Sequence, residues 1–285
     1  MVKKAHFITG KGGVGKSLVA ALLARHFSQK NQQILLAELS EFSFYKDFLN
    51  LPQISYTPTN WTGLVDVAQW SAQDCLREYA LHLLKIQKLY ELFFENPVTR
   101  SLVQVAPGVQ ELAILGKVTS SPRRHGPPMS YDQLVIDAFA TGHFLSLLQA
   151  PKAMADTIPF GPMGEQSRSI DKLIRDPNFT EVHVVSLAEE LPITETLELY
   201  FELQKNFQIK PKVYLNKLFN LTEKDLSKLD SKAKDYLSVQ TENELKAKKT
   251  LAKNQIEFIS LPLVTSLNTA AIIDSLLPFV TGLYD

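Results

Sequence analysis

Eight consecutive residues constrain this chain more than any others: Gly10-Lys11-Gly12-Gly13-Val14-Gly15-Lys16-Ser17. They satisfy the pattern G-x-x-x-x-G-K-[ST]. Before them lies a short apolar stretch over residues 5–9, and after them a segment of helix formers over residues 18–29 with Leu22, Leu23 and Phe27 available for burial. A strand before and a helix after is the context that gives the pattern physical meaning. Glycines let the backbone curl so that successive N–H groups point inward at an anion, and the helix N-terminus adds partial positive charge. Gly12, Gly13, Val14 and Gly15 supply such amides. Lys16 supplies an ammonium for β- and γ-phosphates, and Ser17 a hydroxyl for Mg²⁺.

The rest of the chain alternates in a way that suits this start. Residues 33–39 (QILLAEL) read as a strand buried on both faces, because interior parallel strands are continuous apolar runs. Further strands are expected over residues 64–67, 133–136, 181–187, 212–215 and 257–261. Helices are expected over 71–94, 142–148, 189–207 and 267–277, with a charged helix pair over 221–254. Strands alternating with helices predict an α/β fold: a doubly wound, mostly parallel sheet. The expectation is one nucleotide-binding domain over 1–285, carrying a mostly helical insertion at about 43–128. Two stretches read as loops: residues 119–130 (TSSPRRHGPPMS), expected to be mobile, and residues 154–166, with their prolines and glycines.

Composition excludes several classes. Lys plus Arg is 30 and Asp plus Glu is 30 in 285 residues, so the basic excess of a nucleic-acid or anionic-membrane binder is missing. A single cysteine, Cys75, permits no intrachain disulfide and no multi-cysteine zinc site within one chain, so no zinc is expected. No apolar run approaches a membrane span, and the apolar stretch near the N-terminus stops at Gly10, too short for a secretion signal. A cytoplasmic protein without an integral membrane segment is expected. No Lys or Arg follows Lys253, which argues against a basic amphipathic helix at the C-terminus.

Lys11 narrows the class. G-K-G-G-V-G-K-S resembles the deviant Walker A loop of the ATPases that include the arsenite-pump (ArsA-type) ATPase, the ATPase that delivers tail-anchored membrane proteins, MinD, ParA and the nitrogenase iron protein. The resemblance implies ATP or ADP with Mg²⁺ held between two subunits, in a homodimer or a heterodimer with a paralogue, and Lys11 reaching the nucleotide of the other subunit. Asp132-Gln133-Leu134-Val135-Ile136-Asp137 is an apolar strand ending in a carboxylate, the Walker B pattern, and Asp137 can hold a Mg²⁺-bound water. The continuation Ala138-Phe139-Ala140-Thr141-Gly142-His143 is similar to the D-T-A-P-T-G-H switch of the ArsA and tail-anchored-targeting branch, with Ala140 at the proline position. Pro107-Gly108-Val109-Gln110-Glu111 resembles that branch's P-G-x-x-E segment, and Glu195-Thr196 its E-T pair. Val213-Tyr214-Leu215-Asn216-Lys217 resembles the strand end that reads adenine, where the Asn216 amide offers both a donor and an acceptor. Leu261-Pro262-Leu263 resembles a second base-contacting loop.

The departures matter as much as the matches. The aspartate that positions the attacking water in this family falls at Ser40, leaving Glu38 or Glu41 as substitutes, and losing a general base typically costs about 10²–10⁴-fold. Leu18 replaces a residue that usually contacts the α-phosphate through a hydroxyl. A lone Cys75 cannot reproduce the cysteines of the targeting ATPase or the arsenite pump. The interval after T-G-H also lacks the long methionine-rich insertion of the targeting ATPase. Two functions follow as expectations. The first is an ATP-driven dimeric switch, an ATPase signalling to an unidentified protein client. The second is a hydrolysis-impaired nucleotide-binding subunit paired with an active paralogue. A small-molecule ligase or kinase on the same scaffold is disfavoured by T-G-H. The apolar pattern over residues 79–94 (YALHLLKIQKLYELFF) reads as a helix packed on two sides, with a client surface as the alternative.

Overall fold

The computed structural model describes residues 2–40, 42–84, 108–266 and 268–282. Among the described residues there are eight strands: β1 (Lys4–Gly10), β2 (Ile34–Glu38), β3 (Thr59–Thr62), β4 (Val65–Gln69), β5 (Gln133–Asp137), β6 (Thr180–Leu187), β7 (Lys212–Leu218) and β8 (Phe258–Pro262). They form a sheet in the order β3-β4-β2-β5-β1-β6-β7-β8. β2 runs parallel to β4 and β5, and β7 parallel to β6 and β8, while β3 runs antiparallel to β4. The expected mostly parallel α/β sheet is therefore present. Its apolar runs lie where burial on both faces demands them: every residue of β2 is buried. β3 escaped the sequence reading because it is short, half-exposed, and joined to β4 through Gly63 at φ +53°.

The chain divides into two units, Met1–Phe7 with Phe27–Glu181, and Ile8–His26 with Val182–Asp285. In the first, helix Val109–Val118 packs against helices Ala72–Leu84 and Thr141–Thr157, and the latter against helix Gly161–Ile174. Ile114, Leu115, Phe144, Leu147, Leu148, Ile170 and Ile174 are buried there. In the second, Val213, Leu215 and Leu218 of β7 form a core with Ile193 and Tyr200 from helix Glu190–Glu202 and Ala247 and Leu251 from helix Ser231–Lys253. The charged helix pair over 221–254 is present: Asp230 caps its long member, and Thr222 and Asp225 form a capping box on the short one.

One loop expectation is corrected and a second is modified. Within residues 154–166, helix Thr141–Thr157 runs on through the buried Pro151, and helix Gly161–Ile174 begins after three connecting residues. Pro162 falls in the first turn of that second helix, where no N–H is needed. Gly164 permits the tight approach, since a Cβ there would lie 2.1 Å from the Ile158 carbonyl oxygen. Within residues 119–130 only Ser120–Arg123 departs from the loop reading, as a short helix, with Thr119 and Ser120 buried. Arg123 donates to the Gly116 carbonyl at 3.1 Å and the Thr119 hydroxyl at 2.9 Å, and it also contacts Gln166. Of the apolar pattern over 79–94, residues 85–94 lie outside the described residues.

Candidate functional site

β1 ends at Gly10, whose φ of +141° and position leave no room for a side chain: a Cβ would lie 2.1 Å from the Val185 carbonyl oxygen of β6. The chain then turns through Gly13 at φ +83° and Gly15 at φ +97° and enters helix Lys16–Ser28, which is anchored by buried Val19, Leu22 and Leu23. Positions for a Cβ on Gly12 and Gly13 meet nothing within 4 Å, so this stretch of backbone presents an open face. Lys16 Nζ donates to the Lys11 carbonyl at 3.1 Å, which keeps the ammonium over the loop. Two exposed glycines, a 13-residue helix starting at the loop, and an adjacent ammonium together suit a polyphosphate. Ser17 and Leu18 follow in the first helical turn, both part-exposed.

Two side chains of the same unit meet this loop. Lys11 Nζ pairs with Glu195 Oε1 at 2.5 Å, joining the family-like lysine to the family-like E-T pair. Asn216, 2% exposed, donates from Nδ2 to the Val14 carbonyl at 2.9 Å and accepts at Oδ1 from its neighbour Lys217 N at 2.9 Å. The sequence placed Asn216 at a strand end, but β7 runs on to Leu218 with a bulge there. Leu215 pairs with Ser260 and Leu218 with Pro262, and Lys217 sits at φ +58°. Pro262 is the last residue of β8.

The first unit holds the remaining candidates. Glu38 and Asp137 end β2 and β5 and are register partners. Asp137 accepts from Tyr45 Oη at 3.1 Å. Glu38 is buried, and its two carboxylate oxygens accept from Ser43 Oγ at 2.8 Å and Phe44 N at 2.7 Å. Its carboxylate thus holds the turn after β2. Ser40 Oγ donates to the Phe42 carbonyl at 2.7 Å, and the Ser40 carbonyl accepts from Gln69 Nε2 at 2.9 Å. Glu41 lies outside the described residues. Thr141 opens its helix, and His143 stacks on Phe139 with ring centroids 3.8 Å apart, its Nε2 3.9 Å from Glu111 Oε1. Glu111 stands in the first turn of a helix entered through Gly108 at φ +81°. Two motifs more than thirty residues apart thus face one another. Tyr45, Gln69 and Phe139 were not singled out from sequence. None left a usable signal: Gln69 lies beyond the strand expected over residues 64–67, and its register with Glu38 exists only in the folded sheet.

Among the described residues no helix is long and apolar enough to cross a membrane. Compared with known proteins, the chain is 29% identical over 214 residues to the ATPase BagA of Mycobacterium tuberculosis, covering 70% of this chain and 61% of that one. It is 24% identical over 243 residues to the ATPase asna-1 of Caenorhabditis elegans, covering 70% of each, and 23% identical over 208 residues to an ATPase ASNA1 homolog of Plasmodium chabaudi chabaudi, covering 71% and 50%. The match thus spans about three fifths of the mycobacterial relative. The family model for anion-transporting ATPases matches residues 3–161, which include the phosphate-type loop, Asp137 and the T-G-H segment. On that match, this chain belongs to the anion-transporting ATPase (ArsA) family.

Proposed function

We propose that this chain binds and hydrolyses ATP as a dimeric switch, its closed and open states read by a protein client or partner. The observation that carries the proposal is the loop itself: open backbone at Gly12 and Gly13, positive φ at Gly13 and Gly15, and Lys16 held over the curl at a helix start. In this reading Gly12, Gly13, Val14, Gly15 and Lys16 bind the phosphates, with Leu18 nearby but unable to add a hydroxyl contact. Ser17 is the hydroxyl ligand for Mg²⁺, and Asp137 is the strand-end carboxylate suited to a metal-bound water. When bound, Mg²⁺ neutralises charge on the phosphate oxygens. Asn216 retains one N–H and one lone pair for an adenine edge, and Pro262 supplies an apolar contact to the base. Lys11 acts in trans, which requires its ion pair with Glu195 to open on closure. Zinc has no part in this reading, which places the protein in the cytoplasm as one ATPase domain with a helical insertion.

A second reading, a hydrolysis-impaired subunit paired with an active paralogue, is favoured by the turn after β2. There the aspartate position is Ser40, and both Glu38 oxygens hold Ser43 and Phe44. Glu41 is the remaining candidate base. Size-exclusion chromatography of the pure chain with ADP, ATP and a non-hydrolysable analogue, with released phosphate assayed on the same samples, separates the two. An ATP-dependent dimer with turnover supports the first, and nucleotide binding without turnover the second. Unchanged ATP affinity in Lys16→Ala would sink both.

A further inference from the structure

A phosphate-binding curl works only if its peptide planes face the right way, with N–H groups inward and carbonyls outward. Because a trans peptide is planar, with its C=O and N–H pointing in opposite directions, fixing one carbonyl fixes the N–H of the next residue. The Val14 carbonyl is fixed in this way. It accepts from Asn216 Nδ2 at 2.9 Å, and the amide that donates is itself oriented, since Oδ1 accepts from Lys217 N at 2.9 Å. Val14 is 1% exposed and Asn216 2% exposed, so water does not compete for either group. Gly15 allows the close approach: a Cβ there would sit 2.3 Å from Asn216 Nδ2. The backbone of β7 is shaped for the same contact. An extra residue between Leu215 and Leu218 and a left-handed Lys217 at φ +58° break the ladder at the residues that aim the amide. Left-handed geometry outside glycine persists only where its surroundings enforce it.

We infer that Asn216 is a positioning residue for the phosphate loop. By holding the Val14 carbonyl it turns the Gly15 N–H toward the bound phosphate, independently of any contact its amide makes with a base. This deepens the proposed function and rests on the loop being a phosphate site. The two roles make opposite demands on a ligand without a base. A base-reading residue is indifferent to inorganic tripolyphosphate, whereas a loop brace affects tripolyphosphate and ATP alike.

The test is calorimetric titration of wild-type chain, Asn216→Ala and the near-isosteric, uncharged Asn216→Leu with Mg²⁺-ATP, Mg²⁺-GTP and Mg²⁺-tripolyphosphate. The expected result is a loss of about tenfold to a hundredfold for all three ligands, as for a buried hydrogen bond removed with one partner left unsatisfied. Amide hydrogen exchange over residues 12–16 is expected to quicken in the ligand-free variants, and their melting temperatures to fall by about 2–12 °C, as the loss of one buried hydrogen bond (about 1–3 kcal/mol) dictates. Gly15→Ala gives an independent approach to the same contact. Its cost to tripolyphosphate binding is expected to shrink in the Asn216→Ala background, where the clashing amide is gone. Tripolyphosphate affinity unchanged in Asn216→Ala while ATP affinity falls overturns the inference and leaves a base-reading role. Loss of affinity with unchanged exchange over residues 12–16 also overturns it. A wild-type chain that binds none of the three ligands instead refutes the phosphate site itself.

Discussion

Replacing Gly10 by alanine is expected to damage the fold, while the same change at Gly12 is not, although the two lie one residue apart in the same loop. At Gly10 two penalties combine. Its φ of +141° belongs to a region that is essentially glycine's alone, which costs an L residue about 1–3 kcal/mol. Its new methyl would also meet the Val185 carbonyl oxygen at 2.1 Å, and that oxygen belongs to a buried strand which cannot swing aside as a flexible side chain would. Overpacking of this kind costs about 1–3 kcal/mol more. A middle value of about 4 kcal/mol lowers the melting temperature by about 8–16 °C, at about 2–4 °C per kcal/mol for a chain of this size class. At Gly12 the φ is ordinary and a Cβ meets nothing within 4 Å, so the melting temperature should move by no more than about 2 °C. If Gly12 faces a phosphate, however, its alanine variant loses ATP affinity, because the methyl occupies the space where the anion approaches the backbone. Thermal unfolding by fluorescence and calorimetric ATP titration on both variants read these outcomes. Equal melting temperatures for the two would refute the steric reasoning.

Three further outcomes are expected. On the second reading, in which hydrolysis is slow because Ser40 offers no carboxylate, Ser40→Asp should raise phosphate release by about 10²–10⁴-fold, and an unchanged rate refutes that reading. Burial pushes the Cys75 thiol up to about 12, with Lys117 pulling the other way, so a thiol reagent at pH 8 should label the folded chain far more slowly than the urea-unfolded one; matched rates contradict this. Burial, then Arg123 and His82, hold His125 below the ordinary 6.5, so the unfolded chain takes up the proton more readily. Its contribution to stability is full above that value and fades as pH falls through the lower folded-state value. His125→Gln should therefore flatten the fall of melting temperature between about pH 7 and pH 5, and an identical slope in both proteins shows that His125 has no such part.

Legibility in the sequence followed the range of the forces involved. The strand–loop–helix start, the buried apolar strands and the capped helix pair are local matters of glycine freedom, apolar periodicity and capping chemistry, and they lie where the residues alone put them. The boundaries that moved did so where packing overrode local preference. Pro151 sits inside a helix because Ala150, Pro151 and Ala155 are buried together, and the short helix Ser120–Arg123 is held because Arg123 finds the Gly116 carbonyl and Gln166. Of the site, the sequence singled out every residue of the phosphate loop, together with Asp137, His143, Glu195 and Asn216. It could not give their partners. Lys11 meets Glu195 across 184 positions, and Asn216 meets Val14 across 202.

Composition and pattern alone therefore settled that this chain builds a parallel α/β sheet with a glycine-rich curl after its first strand, because backbone freedom and apolar repeats act within a few residues. The tertiary structure decided which way individual groups face: the Asn216 amide toward the Val14 carbonyl, the Glu38 carboxylate toward the turn after β2, and the Lys11 ammonium toward Glu195. A hydrogen bond depends on distance and direction to within a fraction of an ångström and a few tens of degrees, and those are fixed only when strands far apart in the chain take their places in one sheet.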